Sequence, residues 1–367
     1  MDDIVIITGE AARFDYREEM DYISSLDPIK GTSAGHYTRP SLSSIHSSSY
    51  AGVIQTKPVS PTLAEVLEQA GYTCIGMTTN PQAQPDFGFD AGYEFYDNFV
   101  SPGMRGSRLR EFLGRFTIAQ YAYQRLFPRH KRRENKPSDK KMVEMAIEKF
   151  NEADSPRFLW LHIMESHRPY GLGEEGISPR LNRKAKFRPH KITDAEREEI
   201  RTAYADALGR VDGLISDLLK EIDSNPIFAF SGDHGELLGE HGTFFHPPHE
   251  QLLHKELIEV PVAFDGIETE TDHVSLIDIG PTILSEVGIE TPTEWHGIDA
   301  QTERRDEFIT WAPWLDNTDM LWQTDGCEIH LTGAEAEFET SGQAGTVEDV
   351  EMSEDVKQRL RDFGYME

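Results

Sequence analysis

The chain has 367 residues, with 65 Asp and Glu against 36 Lys and Arg, a net charge of −29. That balance excludes general nucleic-acid binding, which needs a basic footprint, and reads instead as a solvated acidic surface suited to high salt, where screening suppresses self-repulsion. Only Cys74 and Cys327 are cysteines, so a disulfide framework is excluded, and no apolar run reaches membrane-spanning length. The length allows one large α/β domain with a small appendage. The N-terminus lacks a signal-peptide pattern, and a soluble, cytoplasmic protein is expected.

Residues 2–8 read as a buried first strand. Gly9-Glu10 stop it, so Glu10 sits at a strand's carboxyl end, and a helix-like segment with Arg13 and Asp15 follows. Residues 31–50 are small and hydroxylated. Within them, Thr38-Arg39-Pro40-Ser41 puts Thr38 just before a helix, with Pro40 near the first turn. A hydroxyl there faces orphan N–H groups and the positive helix end, a place for an anionic ester. Plain N-capping by Thr38 or Ser41 explains the same residues and is the preferred reading of this segment taken alone.

A helix opened by Pro61 covers 61–70, a strand follows at Tyr72–Met77, and Asn80 to Asn98 is a long aromatic loop. Residues 104–136 are basic, with Arg105, Arg108 and Lys131–Arg133 interleaved with Phe112, Phe116 and Tyr121. We prefer a helix packing its aromatics on the domain with its arginines solvated. The alternatives are peripheral contact with an anionic membrane, or a hold on an anionic substrate tail. A helix at 138–151 leads to a strand at 158–164, which ends at Glu165-Ser166-His167-Arg168, a third polar group at a strand end. Residues 179–191 form a second basic segment, a candidate lid, and 193–223 one long helix.

That helix feeds Ile227-Phe228-Ala229-Phe230, an apolar run suited to a buried strand with helices on both faces. Ser231-Gly232 break the run, and Asp233-His234 then stand at the carboxyl end, where open α/β sheets bind ligands. A carboxylate beside an imidazole can hold one divalent cation; a turn with satisfied histidines is the alternative. The segment continues through Gly239, His241 and Gly242 to His246. A strand at 259–264 and a helix running from 274–282 to about Gly288 follow. After residue 300 the pattern is a few antiparallel strands, around 307–311 and 327–331, a polar linker and a final helix near 353–363. The organisation expected is a catalytic domain over 1–300 and a C-terminal subdomain and tail over 301–367.

The order of these motifs resembles the sulfatase-like branch of the alkaline phosphatase superfamily. The matching segments are Ser231-Gly232-Asp233-His234-Gly235-Glu236 with Gly239-Glu240-His241-Gly242, His167-Arg168-Pro169-Tyr170, Glu259-Val260-Pro261-Val262, and Asp278 with Pro281-Thr282. The resemblance implies an α/β fold, a mostly parallel central sheet between helix layers, with a small C-terminal antiparallel subdomain. It implies Thr38 as nucleophile and metal ligand, and Glu10, Asp233 and His234 as the remaining ligands. It implies His167 on the substrate's anionic group, and His246 where true sulfatases carry a lysine near the leaving group. Arg39 is a further candidate for the substrate.

The departures carry as much information. True sulfatases oxidise a Cys or Ser to formylglycine, followed by Pro and Arg; here Thr38 and Leu42 stand in those places, and threonine cannot give formylglycine. Ala11 follows Glu10 where sulfatases pair two acids. The Glu, Thr, Asp, His set resembles phosphoglycerol transferases such as lipoteichoic acid synthase. The chemistry expected is therefore cleavage of an anionic ester at phosphorus by Thr38, with His246 or His167 protonating the leaving alcohol. One divalent metal is expected: the ligands suit Mn²⁺, with Mg²⁺, Ca²⁺ and Zn²⁺ as alternatives. A sulfatase working without formylglycine is the second reading. A non-catalytic binding protein is a remote third, because the ligand set is complete. Oligomeric state is not legible in the sequence.

Overall fold

In a computed structural model the described residues are 1–99, 137–171, 176–247, 250–314, 317–324 and 327–331. The basic stretch 104–136 and the final helix near 353–363 lie outside them. The strands are β1 Ile4–Gly9, β2 Ile29–Thr32, β3 Thr73–Thr78, β4 Phe95–Asp97, β5 Arg157–Ile163 and β6 Ile227–Gly232. They continue with β7 Leu237–Leu238, β8 Phe244–Phe245, β9 Glu259–Asp265, β10 His273–Ser275, β11 Glu307–Trp314, β12 Asn317–Thr324 and β13 Cys327–Leu331. The helices are α1 Asp21–Ser24, α2 Thr38–Ser47, α3 Tyr50–Gln55, α4 Leu63–Gln69, α5 Asp139–Glu152, α6 Pro179–Phe187, α7 Asp194–Glu221, α8 Lys255–Ile258 and α9 Ile279–Glu286.

Eight strands form one sheet in the order β10-β2-β9-β6-β1-β5-β3-β4. Its pairings are parallel except where β9 runs against β6 and β2. The expected mostly parallel sheet between helices is therefore the fold. Alternation along the strands builds its two faces. Val5 and Ile7 join Leu159, Leu161 and Phe230 in one apolar cluster with Tyr204, Leu208 and Val211 of α7. Ile4 and Ile6 join Phe158, Trp160 and Ala229 in a second cluster with Leu42 and Ile45 of α2 and Leu67 of α4. Side chains this deeply buried each contribute roughly 1.5–3 kcal/mol, which is what holds both helix layers to the sheet.

Register levels the carboxyl ends. Thr8 of β1 lies opposite His162 and Ser231, Gly9 opposite Gly232, and Thr78 of β3 opposite His162. The segments leaving β1, β3, β5 and β6 thus emerge side by side. Strand β2, read in sequence as part of a hydroxyl-rich stretch, is a true strand. Its Gly31 is needed because a Cβ there would stand 2.6 Å from Val262 Cγ2.

The C-terminal subdomain is a three-stranded antiparallel sheet, β11-β12-β13. It docks beside the start of α2: Trp311 N donates to Ala34 O at 2.8 Å and Thr310 Oγ1 to Ser33 O at 2.7 Å. The basic segment read as a lid is helix α6, tied down by buried Leu181 and Ala185 and by Lys184 against Glu196 at 2.6 Å. Among the described residues no helix is long and apolar enough to cross a membrane.

Candidate active site

The site is assembled on the levelled strand ends. Gly232 lets β6 close against the turn after β1, since a Cβ would stand 2.4 Å from Ala12 O. Asp233 follows, and its Oδ1 accepts from the backbone N–H of Ala11 and of His234, both at 2.8 Å. The carbonyl of Asp233 is held by the hydroxyls of Ser33, at 2.7 Å, and Ser41. Its Oδ2 is buried without a hydrogen-bond partner and lies 3.6 Å from His234 Nε2. His234 donates Nδ1–H to Gly235 O at 2.7 Å, a tautomer assigned from that bond. Its Nε2 therefore faces Thr38 Oγ1 at 3.1 Å and Glu10 Oε1 at 3.5 Å.

Thr38 corrects one sequence reading. It is the first residue of α2 rather than the residue before it, and the cap position belongs to Tyr37, which makes no side-chain cap bond. Its hydroxyl crosses instead to the Glu10 carboxylate, 3.2 Å from Oε1 and 3.3 Å from Oε2. Glu10, Thr38, Asp233 and His234, distant in sequence, thus meet in one buried cluster.

Two members were missed in the sequence. His162, in the apolar strand β5, is fully buried, with Nδ1 2.9 Å from Thr8 Oγ1 and Nε2 3.0 Å from Glu10 Oε2. Thr8 Oγ1 donates to Leu161 O at 3.2 Å, so it accepts Nδ1–H of His162. Asn80, just past β3, donates Nδ2 to Glu10 Oε2 at 2.8 Å, and its own Oδ1 is fixed by Gln82 N at 2.8 Å. The signal for His162 was a single imidazole inside Phe158-Leu159-Trp160-Leu161-His162-Ile163, which the register sets directly opposite Thr8 on the neighbouring strand.

On the other side of Glu10 stand His246 and His167. His246 Nε2 is 3.8 Å from Glu10 Oε1, and its ring centroid lies 4.3 Å from His234 and 5.9 Å from His167. His167 is anchored by Nδ1 on Arg168 O at 2.7 Å. Arg39 follows Thr38 on α2, with its guanidinium 4.3 Å over the Phe87 ring and its Nε without a hydrogen-bond partner.

Electrostatics separate these groups. Burial raises the Asp233 carboxyl to about 6 against the pull of His234. Glu10 is equally buried, yet hydrogen bonds from His162 and His234 hold it well below the usual carboxylate range. Burial opposes a charge on His234, but Asp233 and Glu10 hold it up to about 9. Burial pushes His167 down to about 3 and His246 well below the usual imidazole range.

The donor set fits a divalent cation. Glu10, His162 and Asp233 present ligand atoms all within 4.8 Å of one another, as do Glu10, His167 and His246. With Nδ1–H of both His162 and His234 used on protein oxygens, each Nε2 donates to Glu10 only if it carries a second proton and otherwise faces the carboxylate with a lone pair, while Asn80 Nδ2 lies 3.1 Å from Nε2 of His162. Lone pairs so opposed need protons or a cation between them. Two buried carboxylates and the unpartnered Oδ2 of Asp233 favour the cation, because buried charges are paired or coordinate metals. Oxygen donors with imidazole nitrogen are a divalent-metal set.

A family model described as Sulfatase matches residues 3–289. The chain therefore belongs to the sulfatase family. It is 27% identical over 183 residues to the low-salt glycan biosynthesis sulfotransferase Agl7 of Haloferax volcanii, covering 47% of this chain and 43% of that protein. It is 28% identical over 169 residues to an ulvan-active sulfatase of Formosa agariphila, covering 42% and 32%. The chain thus spans less than half of either relative's length. Among solved structures it resembles the phosphonate monoester hydrolase SpPMH from Silicibacter pomeroyi, with a TM-score of 0.62, 15% identity and 91% and 88% of the two chains covered. It also resembles the C-terminal periplasmic domain of phosphoethanolamine transferase EptC from Campylobacter jejuni, with a TM-score of 0.54, 16% identity and 80% and 91% covered. At these identities the structures speak for the fold alone.

Proposed function

We propose that this chain is a metal-dependent hydrolase or transferase that cleaves a phosphate ester, of phosphodiester or phosphoglycerol type, through Thr38 as nucleophile. The observation that carries the reading is the Thr38 hydroxyl, buried at the first turn of α2 and within 3.1–3.3 Å of His234 Nε2 and both Glu10 oxygens. Glu10, Thr38, Asp233 and His234 are the proposed ligands, with His162 beside them. A divalent cation held there, Mn²⁺ in our reading, would lower the pKa of a bound hydroxyl and supply Lewis acidity to the ester.

The chain's own groups supply the rest. Glu10, 3.2 Å from the Thr38 hydroxyl, is the acceptor in reach for its proton. Thr38 Oγ1 attacks phosphorus as the bond to the leaving alcohol breaks, and His246 gives that alcohol its proton. His167 and Arg39 offset charge on the non-reacting oxygens. Water or an acceptor alcohol then attacks phosphorus and passes its proton back to His246, while the bond from phosphorus to Thr38 Oγ1 breaks and Glu10 returns the proton to that oxygen.

The second reading is a sulfate ester as substrate. The similarity to a sulfotransferase and a sulfatase favours it; Thr38 and Leu42, in place of the formylglycine precursor and its arginine, speak against it. With Mn²⁺ added, aryl phosphodiesters or monoesters are expected to turn over faster than aryl sulfates. Thr38→Ala is expected to lower that rate at least ~10³-fold, the scale of a lost covalent nucleophile. Comparable sulfate turnover that survives Thr38→Ala sinks the reading.

A further inference from the structure

We propose that Gln82 and Gln84 form a subsite for the alcohol that stays on phosphorus, and that this alcohol carries free hydroxyl groups. The proposal deepens, and rests on, the phosphoester reading of the Thr38 site. The segment after β3 is tied to that site at both ends. Asn80 donates Nδ2–H to Glu10 Oε2 at 2.8 Å, and further on the Phe87 ring lies 4.3 Å from the guanidinium of Arg39, the chain neighbour of Thr38. Between these ties stand two buried glutamines, Gln82 and Gln84, only 1% and 2% exposed. Neither Oε1 of Gln82 nor Nε2 of Gln84 has a hydrogen-bond partner.

The fold itself leaves these amide atoms over. Gln82 contributes its backbone N–H, to Asn80 Oδ1 at 2.8 Å, and Gln84 its carbonyl, to Phe87 N at 2.9 Å. Ala83 between them joins Phe87 and Phe89 in the core cluster shared with α2 and α4, and its carbonyl accepts from Tyr96 OH at 2.8 Å. The backbone is thus fixed without help from the two side chains. A buried amide atom without a partner costs the folded state, and native proteins keep few of them. Two of them, two residues apart on a segment bracketed by Glu10 and Arg39, mark a surface made to bind.

The chemistry of the amide names the ligand. It is uncharged, with an acceptor oxygen and N–H donors, and a hydroxyl answers either end whichever way the amide is turned. An alkyl chain would strand both glutamines, and an ammonium group would stand against the Arg39 guanidinium. Position then decides which alcohol is held. Asn80 holds the Oε2 side of Glu10, whereas His246 Nε2 faces Oε1 at 3.8 Å. The leaving alcohol departs on the His246 side, so the group beside Gln82 and Gln84 is the one that remains on phosphorus. Glycerol and sugars share this chemistry.

The test is a matched set of 4-nitrophenyl phosphodiesters whose second alcohol is glycerol, glucose or propanol, given to the Mn²⁺-loaded protein. The glycerol or the glucose ester should exceed the propyl ester in kcat/KM by about 10²-fold, the order of effect when a substrate leaves buried polar groups unpaired. The better of the two identifies the alcohol. Gln82→Leu/Gln84→Leu should cut that preference to within about 3-fold, by slowing the hydroxylated ester. If the double variant does not fold, Gln82→Leu and Gln84→Leu singly should each reduce the preference. No preference in the wild type, or a preference that survives the substitutions, overturns the proposal. If the wild type cleaves none of the esters, the phosphoester reading fails, and the subsite is decided separately by calorimetric titration with glycerol 3-phosphate, glucose 6-phosphate and propyl phosphate. At least ten-fold tighter binding of one hydroxylated phosphate supports the subsite; equal or absent binding of all three overturns it.

Discussion

At the amino end of β1, Asp3 is buried in a structural pair; at the carboxyl end of the same strand, Glu10 is buried in a cluster whose donors and acceptors do not fully match. Asp3 Oδ1 accepts from Arg157 N at 2.8 Å and Ser155 Oγ at 3.0 Å, and its Oδ2 from Arg157 Nε at 3.1 Å and Nη2 at 2.6 Å. Arg157 spends its Nη1 on Phe150 O at 2.9 Å and Asp223 at 2.8 Å. Burial would raise the Asp3 carboxyl, but the Arg157 hydrogen bonds outweigh it and hold the group below its usual range. At the other end the matching is incomplete: Glu10 accepts from Asn80 Nδ2 at 2.8 Å and Thr38 Oγ1 at 3.2 Å, but Asp233 Oδ2 is bare and two imidazole Nε2 atoms stand against the carboxylates. The same residue types make a staple where donors match acceptors, and a donor set that fits a cation where they do not.

The largest test of this contrast is at the closed end. Arg157→Ala leaves Asp3 buried and unpaired, and should cost about 3–5 kcal/mol in urea unfolding, the scale for breaking a buried pair. Metal content should not change; a loss below about 1 kcal/mol would remove the staple reading.

A third buried acid separates burial from site chemistry. Asp139 accepts from Met164 N at 2.6 Å beside the strand ends, away from the Glu10 cluster's hydrogen bonds. Burial, with Glu165 nearby, raises it to about 6 from 3.8. A raised folded pKa means that the folded protein holds the extra proton between about 3.8 and 6. Its contribution to stability is therefore full below that window and is lost as pH rises through it. Asp139→Asn should cancel that slope, on the order of 2–3 kcal/mol across the window, read as the difference from wild type. A wild-type and variant pair with parallel pH profiles would contradict it.

The smallest effect belongs to the residue the sequence hid. His162→Ala should weaken divalent-metal affinity by about 10–100-fold in a direct titration, as losses around a metal's ligands do. Unchanged affinity would confine His162 to the core.

What could be read from residues alone follows the same physics. Glu10, Asp233 and His234 were legible because each ends an apolar run, so the break in pattern marks a strand's carboxyl end. Thr38 was legible from its place before Pro40, though not its position inside α2. His162 was not, because one polar residue inside Phe158–Ile163 matches a core strand, and only the register against Thr8 and Gly9 turns it toward Glu10. Asn80 read as the start of a loop, since its orientation depends on Gln82 N and Glu10 in three dimensions. Strand β2 was hidden because Ile29–Thr32 is short and carries Gly31, whose need is visible only against Val262. The second strand of the C-terminal sheet, β12, carries Asp319, Gln323 and flanking threonines among its apolar residues, too mixed to stand out before its partners are known.

The most direct test of the account is metal stoichiometry after loading with Mn²⁺ and desalting, in wild type, Asp3→Asn and Asp233→Ala. The account predicts one equivalent of divalent ion in wild type and in Asp3→Asn, and its loss in Asp233→Ala with the fold retained by circular dichroism. An Asp233→Ala protein that keeps its full equivalent, or a wild type that holds none, would contradict the claim that the open carboxyl end of the sheet is built around a cation.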